Sequence, residues 1–197
     1  MKSLSFLYES NKPVISFELF PPKTEQGNLH LFEHLRELIN CRPAYLTCTY
    51  GAGGTTRERT LEVLTSIRSL YPHIPLASHL TCVGNTTDEL RAYIRRALSI
   101  GVEHIVALRG DPPKGEISFK QVPDGLSYAS ELVRLIVAEF PQIGITVAGY
   151  PETHPEAPSS AVDLENLKRK VDAGADIVVP SCFLKIWITF ASGTGAM

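Results

Sequence analysis

The chain of 197 residues is short of several things, and each shortage removes a class of function. It has no apolar run near the ~20 residues that a membrane span needs, and Met1 to Asn11 has neither a long apolar stretch nor a small-residue cleavage site. That start predicts no secretory signal and a cytoplasmic protein. Charge of one sign is also lacking: the net charge is -2 with 20% charged residues, which offers nothing to nucleic acid or an anionic surface. The four cysteines, Cys41, Cys48, Cys82 and Cys182, form no Cys-x-x-Cys pair, so they are expected as reduced, buried thiols. The glycine-rich run Gly51-Ala52-Gly53-Gly54 lacks the Gly-x-Gly-x-x-Gly spacing and the acidic partner of a Rossmann fingerprint. His30 and His34 stand four apart, but no third metal ligand accompanies them, and they are expected at the surface with no metal bound.

What is present is an alternation. Val14, Ile15 and Phe17 predict a buried strand that Pro21-Pro22 must stop, because proline has no ladder N–H. Leu31, Phe32, Leu35, Leu38 and Ile39 then recur at helical spacing, and Ala44 to Thr49 is extended. Arg57 to Tyr71 is helical and Leu76 to Cys82 is a strand; Thr86 and Glu89 form a capping-box pattern ahead of Leu90, Ile94 and Leu98. Ile105 to Leu108 is extended, a Pro/Gly-rich loop follows, and Leu132, Val133, Leu135 and Ile136 mark another helix. Ile145 to Ala148 is a strand, Asp163 to Ala173 a helix, and Ile177-Val178-Val179 opens a sixth strand.

Aliphatic strands separated by helices predict an α/β fold with a parallel sheet under helices. Polar residues gather after nearly every strand: Glu18, Thr49-Tyr50, His79, Arg109-Gly110-Asp111, then Tyr150 with His154. An open sheet concentrates its site at one switch point, whereas a (β/α)₈ barrel draws on all its strands, so a barrel is predicted. A complete barrel takes about 250 residues, and about five and a half βα units are legible here.

Glu18 sits among Phe17, Leu19 and Phe20 at a strand's mouth. Loss of hydration would raise its pKa toward the range of a general acid at neutral pH. The alternative is a strand-end glutamate that points into water.

Six segments in order resemble the FAD-dependent 5,10-methylenetetrahydrofolate reductase family. They are Ser16-Phe17-Glu18-Leu19-Phe20-Pro21-Pro22, Thr49-Tyr50-Gly51-Ala52-Gly53-Gly54, His79-Leu80-Thr81-Cys82, Leu108-Arg109-Gly110-Asp111, Tyr150-Pro151-Glu152-Thr153-His154-Pro155 and Lys168 to Ala175. The resemblance implies a (β/α)₈ barrel with flavin at its carboxyl-end face. It also implies hydride transfer from NAD(P)H to FAD and from there to methylenetetrahydrofolate, giving methyltetrahydrofolate, in a protein that is a homo-oligomer when full length. It assigns Glu18 as the general acid for opening the folate ring and Asp111 as the aspartate near flavin and folate. For flavin it implies Tyr50, Ala52, His79, Arg109, Gly110, Asp111, Ala129, Tyr150, His154, Ala157, Asp163, Asn166, Arg169 and Lys170, with Thr49 at a nicotinamide contact. Asp163, Asn166 and Lys170 share a helix face beside the apolar stripe of Leu164, Leu167 and Val171. His79 equally suits a core histidine, and Thr49 a packed strand threonine.

After Val179 the pattern departs. Where the family has Thr-Gln-Leu-Phe-Phe, the chain reads Pro180-Ser181-Cys182-Phe183-Leu184. The expectation is therefore a partial barrel over 1–179 and an aberrant tail over 180–197, the product of a shifted reading frame. Two alternatives stand beside a folate reductase: another FAD barrel such as a proline-dehydrogenase-like enzyme, and an inactive fragment or flavin-binding remnant without turnover.

Overall fold

A computed structural model describes residues 4–9, 13–50, 57–112, 115 and 119–180. After a 3-10 helix at Leu4–Tyr8, strands and helices alternate. The strands are β1 (Ser16–Leu19), β2 (Tyr45–Cys48), β3 (Leu76–Thr81), β4 (His104–Leu108), β5 (Gly144–Gly149) and β6 (Ile177–Pro180). The helices between them are α1 (Glu25–Asn40), α2 (Arg57–Leu70), α3 (Thr87–Ile100), α4 (Ala129–Glu139) and α5 (Ser160–Asp172).

All neighbouring strands pair in parallel, in sequence order from β1 to β6. One cavity is lined both by Ser16 on β1 and by Ile177 to Pro180 on β6, so the sheet curls until its two edges face a common gap. The architecture is six strands of an incomplete (β/α)₈ barrel. The predicted order of elements is the observed one.

Local chemistry sets the helix ends. Thr24 Oγ1 accepts from Gly27 N at 3.0 Å at the start of α1. The predicted capping box forms on α3: Thr86 Oγ1 accepts from Glu89 N, and Glu89 Oε2 accepts from Thr86 N at 2.8 Å. That helix ends at Gly101, whose φ of 90° suits glycine's freedom in the left-handed region. At α4, Glu131 Oε2 accepts from the backbone N–H groups of Ser127 and Tyr128.

Strand alternation then sorts side chains. Leu46, Leu80, Ile105, Ile145 and Val147 join Leu64, Ile67, Ile94, Leu132 and Ile136 from the helices in the core. The other face of the strands carries Glu18, Thr47, His79, His104 and Thr146, the concave side of the half-barrel. His104 is fully buried there, and its Nε2 is 2.7 Å from Thr146 Oγ1.

Two expectations, a buried Ile15 and a buried Cys41, need correction, and α5 adds a further observation. Val14 and Ile15 precede β1, and Ile15 is 49% exposed, because β1 is an edge strand with a partner on one side only among the described residues. The apolar stripe of α5 is largely open: Leu164 and Val171 are exposed and only Leu167 packs on the core, since that helix follows the last paired strand but one. Cys41, at the C-terminal end of α1, is exposed, whereas Cys48 and Cys82 are buried as expected. Cys182 lies outside the described residues.

Candidate active site

Two clusters occupy the carboxyl ends of the strands. The first belongs to β1 and β3. Glu18 Oε2 lies 3.3 Å from His79 Nε2, so the two side chains meet on one face of the sheet across Thr47. Glu18 is half-exposed and His79 largely covered. The hydrogen bond from the His79 ring holds the Glu18 carboxyl below its ordinary value and outweighs the opposing effect of partial burial. The expectation of a raised Glu18 pKa is thereby corrected: the apolar neighbours Phe17 and Leu19 pack against the core on the strand's other face and do not surround the carboxyl. Thr47 Oγ1 and Thr81 Oγ1 are buried on these strands and make no hydrogen bond among the described residues.

The second cluster is a cavity of about 540 Å³ between the ends of β4 and β5 and the helices α4 and α5. Nine residues that the resemblance assigns to flavin line it. Arg109 follows β4; Ala129 opens α4; Tyr150, His154 and Ala157 come from the loop after β5; Asp163, Asn166, Arg169 and Lys170 come from α5. The loop is pinned at His154. Asp163 Oδ2 accepts from His154 N at 3.1 Å, and His154 Nδ1 accepts from Glu156 N at 3.1 Å. The Tyr150 and His154 rings meet edge to face with centroids 4.7 Å apart.

Cations dominate this wall. Lys170 donates to Ala148 O, and burial pushes its ammonium below the ordinary lysine range. Arg169 donates to Asn166 Oδ1 at 3.2 Å, so these two side chains fix each other. Arg109 forms a bidentate pair with Glu156, with Nη2 donating to Oε1 at 2.8 Å. Burial also raises the Tyr150 phenol, helped by the charge of Asp111. Asp111 itself is exposed, and its charge reaches both Arg109 and Tyr150.

Other expected residues lie apart from this cavity. Tyr50 is buried in the core, its ring 5.3 Å from Tyr93 and its hydroxyl donating to Asn85 Oδ1 at 3.4 Å. Thr49 is partly buried, and its carbonyl accepts from Thr60 Oγ1 at 2.9 Å. Gly110 has φ 88°, and an added Cβ would stand 2.5 Å from Val83 Cγ1, so the turn after β4 requires glycine. Ala52 lies outside the described residues. His30 and His34 stand at the surface of α1 as expected, His30 Nδ1 being 3.3 Å from Glu33.

Sequence reasoning missed several members of the cavity wall. Ser130 and Arg134 lie one helical turn apart on α4, a spacing that was available but is common on any amphipathic helix. Glu156 stands two residues past His154 and was hidden because its role depends on Arg109, 47 positions away. The buried His104 was also missed, because a lone histidine at the head of an apolar strand carries no local signal.

The methylenetetrahydrofolate reductase family model matches residues 4–191. The chain belongs to that family. The 5,10-methylenetetrahydrofolate reductase of Escherichia coli (strain K12) is 42% identical over 174 residues, which is 87% of this chain and 55% of that protein. Methylenetetrahydrofolate reductase (NADH) 1 of Zea mays is 40% identical over 182 residues, 87% of this chain and 30% of its own length. Methylenetetrahydrofolate reductase 2 of Saccharomyces cerevisiae is 34% identical over 181 residues, covering 90% and 30% respectively. The chain thus spans between about a third and just over half of these relatives. Among solved structures, a Schiff-base-forming fructose-1,6-bisphosphate aldolase gives a TM-score of 0.48 at 15% identity over 74% of this chain and 53% of its own, too low to argue from.

Proposed function

We propose that the chain carries the flavin site and the acid of a reductase that converts 5,10-methylenetetrahydrofolate to 5-methyltetrahydrofolate with NAD(P)H and FAD. The observation that carries this reading is that nine of the residues the resemblance assigns to flavin, drawn from four segments, line one cavity. FAD, when bound, supplies the hydride relay between the nicotinamide and the folate.

The donor set fits that group. Arg109, Arg169 and Lys170 present cations to a diphosphate, and Asn166 and His154 offer polar edges for the remainder. The unpartnered hydroxyls of Thr47 and Thr81 supply buried donors on the strand ends, where an exposed ring edge would satisfy them.

Glu18 would carry the proton. Opening the folate's five-membered ring requires protonation of the leaving nitrogen, and positioned transfer of that kind contributes about 10²–10⁴-fold. Because the His79 hydrogen bond at 3.3 Å favours the Glu18 carboxylate, the acid role would require a proton to be held by the Glu18–His79 pair until the leaving nitrogen takes it. Asp111, exposed and adjacent to Arg109, is the second carboxylate in reach of a bound pterin. Thr49, the residue after β2, would stand at the nicotinamide contact. We expect the working assembly to be a homo-oligomer in the cytoplasm.

A second reading is a flavin-binding remnant without turnover. Glu18 stands on the open edge strand, half-exposed, with its pKa lowered, which favours this reading for the chain alone. Reconstitution with FAD separates the cases. A flavin spectrum with NAD(P)H-dependent formation of methyltetrahydrofolate supports the reductase, and a flavin spectrum without folate turnover supports the remnant. No bound flavin overturns both. In an active protein, Glu18→Gln should leave NAD(P)H oxidation by an artificial acceptor intact and reduce folate turnover by at least 10²-fold; unchanged turnover removes Glu18 from the acid role.

A further inference from the structure

The cavity between α4 and α5 holds four basic side chains, Arg109, Arg134, Arg169 and Lys170. Its three carboxylates differ in what they do. Asp163 accepts from the backbone of His154, and Glu131 from the backbones of Ser127 and Tyr128, so each fixes a loop. Among the described residues, the Glu156 carboxylate accepts from no backbone group. Its two oxygens occupy the outer fork of Arg109, whose Nε is turned to Gly110 O at 3.3 Å and whose guanidinium lies 5.3 Å from the Phe119 ring.

From this we infer that Glu156 is a displaceable counter-ion that holds the phosphate-binding fork of Arg109 and competes with a ligand's phosphate groups for it. The inference rests on the reading of this cavity as a diphosphate-bearing flavin site, and adds a residue that sets how tightly that site binds.

Geometry supports displacement over permanent structure. Arg109 is the anchored partner, 22% exposed, stacked and bonded on its inner side, whereas the Glu156 side chain is 54% exposed. Release therefore needs rotation of one exposed side chain into water, which is a small cost for a solvent-facing pair. A carboxylate and a phosphate also present the same planar pair of acceptors to a guanidinium. With Glu156 turned out, four cations face two acids, an excess that matches the charge of a diphosphate. The Glu156 backbone stays bonded to His154 Nδ1, so the loop keeps its path while the side chain moves.

The test uses the whole chain and its Glu156→Gln variant, which keeps size and removes the charge. Inorganic pyrophosphate, FAD and riboflavin are titrated calorimetrically, with Glu58→Gln as a control that removes the same charge from the exposed Arg96 pair. Glu156→Gln should bind pyrophosphate and FAD about three- to tenfold more tightly, with riboflavin and the Glu58→Gln control unchanged. Equal or weaker pyrophosphate binding overturns the inference and makes Glu156 a residue that positions Arg109. Should FAD fail to bind while pyrophosphate binds more tightly to the variant, the flavin reading falls and this inference stands. If neither ligand binds either protein, both fall. Equal thermal midpoints for the variants and the parent exclude a folding effect.

Discussion

Strands β2 to β5 and the last strand, β6, are built from the same residue types, yet they end in opposite environments. Ile105, Leu80, Leu46 and Val147 are essentially inaccessible, whereas Val178 and Val179 on β6 are 38% and 46% exposed. The helices follow suit: α2 and α3 bury most of their apolar stripe, and α5 has no buried residue. An aliphatic run specifies a strand, but whether its side chains are buried depends on neighbours on both sides, and each edge strand has only one. The largest expected effect sharpens that contrast. Ile105→Ala should cost about 2–5 kcal/mol, as buried Ile-to-Ala changes do. Val178→Ala should cost under about 1 kcal/mol, because much of its side chain is already in water. Urea denaturation of the two variants measures both; similar losses would mean that the β6 edge is covered.

Next in size is a pH effect confined to the closed region. His104 is buried with Nε2 on Thr146 and Nδ1 without a hydrogen-bond partner among the described residues, and desolvation lowers its pKa from 6.5 to about 4. The unfolded chain therefore binds a proton that the folded one refuses between these values. The stabilisation is fully present above about pH 6.5 and is lost as pH falls toward about 4. At 1.36 kcal/mol per unit, about 2 kcal/mol should vanish between pH 7.5 and pH 5. His104→Gln should flatten that part of the profile, measured as the urea midpoint at the two pH values. An unchanged slope would assign it to other groups.

These two cases also mark where sequence reasoning succeeds. Order and type of elements were legible because hydrophobic period and capping are local: Thr86 with Glu89 predicted a helix start that forms as expected. That the residues assigned to flavin would share one cavity was legible through resemblance, since Arg109, just after β4, and Lys170, on α5, belong to segments that barrel topology brings together. The sign of the Glu18 shift was not, because it depends on His79, 61 positions away in sequence and one strand beyond its neighbour. Nor was the exposure of Leu164, since periodicity identifies an apolar stripe without identifying its cover.

A smaller effect compares helix starts in the two regions. Thr86→Ala removes a reciprocal cap on α3, where both the side chain and Glu89 satisfy orphan N–H groups. Ser159→Ala removes a single bond to Val162 N at 3.3 Å on the open helix α5. Caps of this kind are worth about 0.5–2 kcal/mol. Thr86→Ala should fall in the upper half of that range and Ser159→Ala in the lower, read from thermal midpoints. The reverse order would show that α5 contributes more to cooperative unfolding than its exposure implies.

The smallest expected change is Leu164→Ala. Burial accounts for the stabilising effect of a leucine, and Leu164 keeps 67% of its surface in water, so truncation removes little transferred area and leaves no cavity. Alanine also has a higher helix propensity, which offsets part of the remaining loss. The expected result is a stability change within about 0.5 kcal/mol, against several for a core leucine such as Leu80, which is fully buried. Hydrogen exchange along α5 gives a second reading of the same point. If Leu164→Ala instead costs more than about 1.5 kcal/mol, another surface covers this stripe in solution, and the contrast between the closed and open regions narrows to the strand edges alone.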